Sequence, residues 1–223
     1  MLDCKILGRV DLMGSEFLDV EFVRNQSDEL TEPNSIWDAY YFVEDAALTD
    51  IRYDFDDKVE GEASLFVDTE SGWDVHVHYF PEGDKIAFWN LDANGTISFK
   101  MKINITDPNN PWGVQESFVR IGDACGNYIQ YNNEFFSSNN NPVLNQALNQ
   151  WQQFEIPFFG NTDWTLTSQG SLDFSKITYI EFNVDVWEFG YEMWLDDVRL
   201  PIASVGVLAV SYTHLTLPTT PYV

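Results

Sequence analysis

The sequence predicts an all-β fold, an antiparallel jelly-roll β-sandwich in a single domain, and three observations predict it. Aromatic residues make up 16% of the 223-residue chain, with 8 Trp, 10 Tyr and 17 Phe, and such side chains pack best on the pleated surface of strands. In residues 98–105 the apolar Phe99, Met101, Ile103 and Ile105 alternate with Ser98, Lys100, Lys102 and Asn104, which sets one face in a core and the other in water. Turn signals such as Glu82-Gly-Asp, Ala93-Asn-Gly, Gly122-Asp and Gly126-Asn divide the chain into many short runs, the pattern of a sandwich or barrel.

Taken in order, the predicted strands are residues 64–67 and 75–80 before the Glu82-Gly-Asp turn, 86–89 between that turn and Ala93-Asn-Gly, and 98–105 after it. Residues 118–121 and 128–131 flank the Gly122-Asp and Gly126-Asn signals. Residues 151–156, 180–184 and 191–200 close the set; Ile180, Phe182 and Val184 alternate with Glu181 and Asn183, which are expected to face water. Residues 142–150 suit a short turn of helix. Two longer inserts, 106–113 and 132–149, fit either binding loops on a rigid scaffold or plain surface loops.

Residues 16–201 are the predicted sandwich, and 1–15 are an extra strand or the end of a preceding segment. Residues 202–223 are set aside as a non-native or disordered tail, because Val210-Ser-Tyr-Thr-His-Leu-Thr-Leu-Pro-Thr219 reads like a translated sequencing adapter. Hydrophobic residues at 44% exclude a disordered chain. The 36 Asp plus Glu against 11 Lys plus Arg give a formal charge of -25, which repels polyanions and argues against nucleic acid or an anionic membrane as partner. That excess fits extracellular solubility, a Ca²⁺ site or a neutral polyhydroxylated ligand equally well. Cys4 and Cys125 show no zinc-type spacing and leave one bridge open. The first residues lack a signal-peptide pattern, and there is no run of eighteen apolar residues.

Several segments, in their order along the chain, resemble the galactose-binding-like jelly rolls that include many bacterial carbohydrate-binding modules. Phe17-Leu-Asp-Val-Glu-Phe22 resembles the acidic opening strand, and Glu60-Gly-Glu-Ala-Ser-Leu-Phe-Val67 the strand after the first long loop. Trp151-Gln-Gln-Phe-Glu-Ile-Pro157, Leu172-Asp-Phe-Ser-Lys-Ile-Thr-Tyr-Ile180 and Met193-Trp-Leu-Asp-Asp-Val-Arg-Leu200 resemble the closing segments. The resemblance implies a structural Ca²⁺ held by Asp19 or Glu21 with Asp196 or Asp197, hard oxygen ligands from both ends of the chain. One departure is Val20, where Phe is usual before the glutamate.

The resemblance also implies a polysaccharide or oligosaccharide partner, bound by a secreted or cell-surface monomer that belongs to a larger protein. Sugar rings stack their C–H faces on aromatics while polar side chains satisfy the hydroxyls. The candidates are Trp73, Tyr128, Tyr131, Trp187 and Tyr191, with Arg120, Gln130 and Asp185 as hydrogen-bonding partners. Against each stands a place in the core.

Two enzyme readings compete. His76-Val-His-Tyr-Phe-Pro-Glu82 has the His-x-His and Glu of a cupin metal motif, but the fourth ligand has no candidate outside the tail. Glu16-Phe-Leu-Asp-Val-Glu21 has the residue types of a glycosidase motif at the wrong spacing. No G-x-S-x-G or P-loop is present. The expectation is a non-catalytic module, with a structural or adhesion sandwich as its rival.

Overall fold

A computed structural model of the chain describes residues 36–41, 47–71, 75–80, 88–107, 109–110, 113–115, 117–133, 143–186 and 189–203. Their strands are β1 (Ile36–Tyr41), β2 (Ala47–Asp54), β3 (Ser64–Ser71), β4 (Val75–Phe80), β5 (Thr96–Ile105), β6 (Phe118–Gly122), β7 (Tyr128–Asn132), β8 (Gln152–Pro157), β9 (Thr165–Gln169), β10 (Tyr179–Val184) and β11 (Tyr191–Arg199). They form a six-stranded sheet in the order β1-β4-β10-β6-β7-β9 and a five-stranded sheet in the order β2-β3-β11-β5-β8. Every strand pair is antiparallel. The chain crosses repeatedly from one sheet to the other, and the fold is a jelly-roll β-sandwich.

The period-two pattern explains where the core lies. On β5, Ile97, Phe99, Met101 and Ile103 are buried while the residues between them are partly exposed. Phe99 meets Phe154 of β8 at 5.3 Å between ring centres and Phe182 of β10, in the opposite sheet, at 5.0 Å. Trp164 closes this cluster edge-on against Phe154 and Phe99, so aromatic side chains bridge the two sheets. Leu144–Ala147 form a 3-10 turn within the stretch expected to turn helically, and Leu144 and Ala147 are buried.

Several elements differ from expectation. Among the described residues of 86–89, Trp89 makes only a single bridge, with Ile177, and its ring is buried in the core. Strands β1, β2 and β9 were not anticipated; β9 is a fully exposed edge strand, Thr-Leu-Thr-Ser-Gln, which needs no apolar alternation. Glu181 and Asn183 are buried rather than in water, at 0% and 2% exposure. β10 lies between β4 and β6 in the middle of its sheet, and the Arg120 side chain of β6 lies against Glu181 on its outer face. The expected opening strand at 17–22 lies outside the described residues. Cys125 is disulfide-bonded; Cys4 lies outside the described residues.

Candidate functional site

The buried polar residues of β10 direct attention to the outer face of the six-stranded sheet. Antiparallel register sets Glu181 opposite Arg120 and Arg120 opposite Gln130, and Gln130 lies opposite Thr167. One row of side chains therefore runs across four strands, because directly opposed residues share a face. The hairpin that fixes this register is built by Asp123, whose carboxylate accepts from the backbone N–H groups of Cys125 and Asn127, with Gly126 at φ +80 between them. This is the turn that the Gly122-Asp and Gly126-Asn signals announce.

Along the row, the Arg120 guanidinium donates from Nη1 to Glu181 at 3.1 Å and from Nε and Nη2 to the Gln130 carbonyl oxygen at 3.0 and 2.5 Å. Gln130 donates on to Asn132 at 2.5 Å, and Asn132 to the Thr167 hydroxyl at 3.0 Å. The guanidinium carbon lies 4.4 Å from the ring centre of Tyr128 and 4.7 Å from that of Phe118, a cation–π arrangement at both rings. The guanidinium facing Glu181 offsets the cost of burying its carboxylate. Of the five N–H donors of Arg120, three are committed and two remain.

The next row holds Tyr179, Gly122, Tyr128 and Gln169. Burial, followed by the charge of Glu181, pushes the Tyr179 phenol up to about 12. Register also sets His78 opposite Glu181 and His76 opposite Asn183 on β4; the third member of the cupin-like motif, Glu82, lies outside the described residues.

The expected ligand residues separate clearly. Arg120, Tyr128 and Gln130 stand together on the outer face. Tyr131 and Tyr191 are corrected to core residues: both are fully buried, and their hydroxyls donate to the Phe158 and Val184 carbonyls at 3.2 Å. Strand alternation turns them inward, Tyr131 between the outer-facing Gln130 and Asn132. Asp185 is buried just past β10, where its N–H donates to Ser117 Oγ at 3.1 Å. Trp73 and Trp187 lie outside the described residues. Sequence reasoning missed Phe118, Asn132, Tyr179 and Glu181, whose only signal is the register.

Of the expected calcium ligands, Asp19 and Glu21 lie outside the described residues. Asp196 is fully buried and accepts N–H bonds from Val59 at 2.5 Å, Glu60 at 3.1 Å and Asp197 at 2.7 Å. Asp197 pairs with Lys100 at 3.0 Å and with Arg199. Burial pushes its carboxyl up, but the hydrogen bonds and charges of those two cations outweigh it and hold it below the ordinary range. Donor hydrogens and cationic groups thus face both carboxylates, and this half of the set does not fit a metal ion. Among the described residues, no group of three or more His, Cys, Asp or Glu is placed to hold one.

No protein-family model and no curated protein matches the chain. Among solved structures it is similar to the family 11 carbohydrate-binding module of the cellulosomal cellulase Lic26A-Cel5E of Clostridium thermocellum, at 14% identity over 82% of this chain and 97% of that one, with a TM-score of 0.49. A second similar structure is a family 11 module from Clostridium thermocellum in complex with a β-1,3-1,4-mixed-linked tetrasaccharide (16% identity, 75% and 89% covered, TM-score 0.43). A third is the family 30 module of the cellulosomal cellulase Cel9D-Cel44B of Clostridium thermocellum (12% identity, 79% and 97% covered, TM-score 0.47).

Proposed function

We propose that this chain is a non-catalytic carbohydrate-binding module, working outside the cell as a monomeric part of a larger protein, and that its site is the outer face around Arg120, Tyr128 and Gln130. The observation that carries this reading is the guanidinium of Arg120 lying between two aromatic rings and beside a chain of amides. The rings offer apolar faces to sugar C–H groups, and the two uncommitted N–H donors of Arg120 suit hydroxyls. Glu181, the buried carboxylate of the row, is committed to Arg120, which supports binding over glycosidic cleavage, where two carboxyl groups must flank the bond. The disulfide at Cys125 supports an oxidising compartment. No helix of the described residues is long and apolar enough to cross a membrane.

The test is affinity electrophoresis of the chain against β-glucans, xylan, mannan and galactan, with and without EDTA. Retardation by at least one polymer, lost in Arg120→Ala/Glu181→Ala with the fold retained by circular dichroism, is the expected result. No retardation by any polymer moves the chain to the structural or adhesion reading. The EDTA arm tests calcium: a requirement for metal needs Asp19 and Glu21 to supply ligation that Asp196 and Asp197 do not show.

A further inference from the structure

Tyr179 and Gly122 are directly opposed on β10 and β6. A Cβ built at Gly122 would lie 2.3 Å from Cζ and Oη of Tyr179 and 2.4 Å from Cε1. The phenol ring therefore occupies the volume that any other residue at 122 would fill, and it rests on the backbone of β6. Tyr128 follows in the same row on β7, carrying the Arg120 guanidinium at 4.4 Å. Two tyrosine rings and a guanidinium plane thus share one strip of the sheet.

The charge of that strip is balanced within itself. The Arg120 guanidinium is matched by the fully buried Glu181 at 3.1 Å, and its Nε/Nη2 edge, which a carboxylate would engage side-on, is taken by Gln130. On β7 and β9 the neighbouring groups are amides, a hydroxyl and a phenol, and on β4 His78 stands at the register position opposite Glu181, on a chain of formal charge -25. An anionic sugar brought here would meet a cation already neutralised and a repelling field around it.

Resting on the glycan-binding reading, we propose that Gly122 and Glu181 are specificity-determining residues: Gly122 seats Tyr179 as a stacking floor, and Glu181 cancels the charge of Arg120, so the face takes an uncharged glycan and refuses a uronate- or sulfate-bearing one. The experiment compares wild type, Gly122→Ala, Tyr179→Ala, the double variant Gly122→Ala/Tyr179→Ala, and Glu181→Gln. Each is run in native gels containing β-glucan, xylan, mannan or galactan, and in gels containing polygalacturonate or carrageenan.

Wild type is expected to be retarded by a neutral polymer and by neither anionic one. Gly122→Ala is expected to weaken that binding about tenfold, ~1.4 kcal/mol, yet to cost nothing further once Tyr179 is alanine, since its effect passes through that ring. Glu181→Gln is expected to shift the ratio of neutral to anionic binding by about tenfold towards the anionic polymers. Should Glu181→Gln not fold, the Gly122 and Tyr179 cycle and the wild-type selectivity still decide. Stronger wild-type binding to an anionic polymer overturns the proposal, as does an additive cycle or unchanged affinity in Gly122→Ala. No retardation of wild type by any polymer overturns the glycan reading itself, and the proposal with it.

Discussion

The two outer faces of the sandwich carry the same ingredients in different states of use. On the five-stranded sheet, Arg52 lies 4.1 Å over Phe66, Phe66 lies 5.0 Å from Trp194, and Lys102 lies 3.8 Å over Trp194 and 5.7 Å from Trp151. The segment between β2 and β3 folds over this row. Asp57 accepts the Trp151 indole N–H at 3.0 Å and pairs with Lys102, Asp54 at the end of β2 accepts the Trp194 N–H at 3.0 Å, and Asp196 holds the N–H groups of Val59 and Glu60. An indole has one donor, so Trp151 is spent on the loop and Trp194 on the end of β2. On the six-stranded sheet, Arg120 is held by cross-strand neighbours and retains two donors. Aromatics beside a cation do not by themselves make a site; Arg52 keeps free donors too, and what distinguishes the five-stranded face is that the chain's own carboxylates take its indole donors.

The sharpest way to break this comparison is at the buried charge. Arg120→Met removes the guanidinium that faces the buried Glu181 and is expected to destabilise the fold by about 3–5 kcal/mol, read by urea unfolding. Adding Glu181→Gln is expected to restore a large part of that loss, since the cost lies in the buried charge. An Arg120→Met chain as stable as wild type would mean that Glu181 is not held as an ion pair.

The same residue shows what the sequence can and cannot reveal. Alternation in residues 98–105 located the buried side of β5, and the Gly122-Asp and Gly126-Asn signals located the hairpin that carries Arg120 and Gln130. Alternation assigned Glu181 to water because it reports only that a residue faces away from the core. Whether that second face is covered depends on the neighbouring strands, which are distant in sequence: Arg120 is 61 residues from Glu181. Tyr131 misled for the opposite reason, since a tyrosine on a strand looks the same from either side until the register is known. The seat of Tyr179 on Gly122 was illegible on the same ground, as it joins residues that only strand pairing brings together.

A smaller effect is expected where the loop covers the tryptophans. Asp57→Ala removes the acceptor of the Trp151 N–H and the partner of Lys102, and with Asp57 half-exposed the loss is about 1 kcal/mol. Tryptophan fluorescence should shift to the red as the indole meets water, while affinity for any retarding polymer stays unchanged. A loss of polymer binding in this variant would show that the covered face takes part in recognition.

The smallest effect separates the carboxylates of the five-stranded sheet from one another. Asp50, Asp68 and Glu192 fall in one register row across β2, β3 and β11. Burial, then the charges of Glu192, Asp50 and Glu70, raise the Asp68 carboxyl above its ordinary 3.8. Asp54 is lowered instead: burial pushes it up, but hydrogen bonds from Trp194 and from the N–H groups of Asp56 and Asp57, with the charge of Arg52, outweigh burial. The two therefore act on stability in opposite directions. Where the folded pKa is raised, the folded state binds more protons between 3.8 and the raised value, so stability falls as pH rises through that window and the penalty persists above it. Where it is lowered, the contribution is present above 3.8 and is lost as pH falls through the folded value. Asp68→Asn is accordingly expected to raise stability at pH 7 by about 0.5 kcal/mol and to have no effect below pH 3.8, whereas Asp54→Asn should destabilise at pH 7. Thermal midpoints measured from pH 3 to pH 8 test both, and a stabilisation by Asp68→Asn that persists unchanged at pH 3 would place its origin in packing and not in charge.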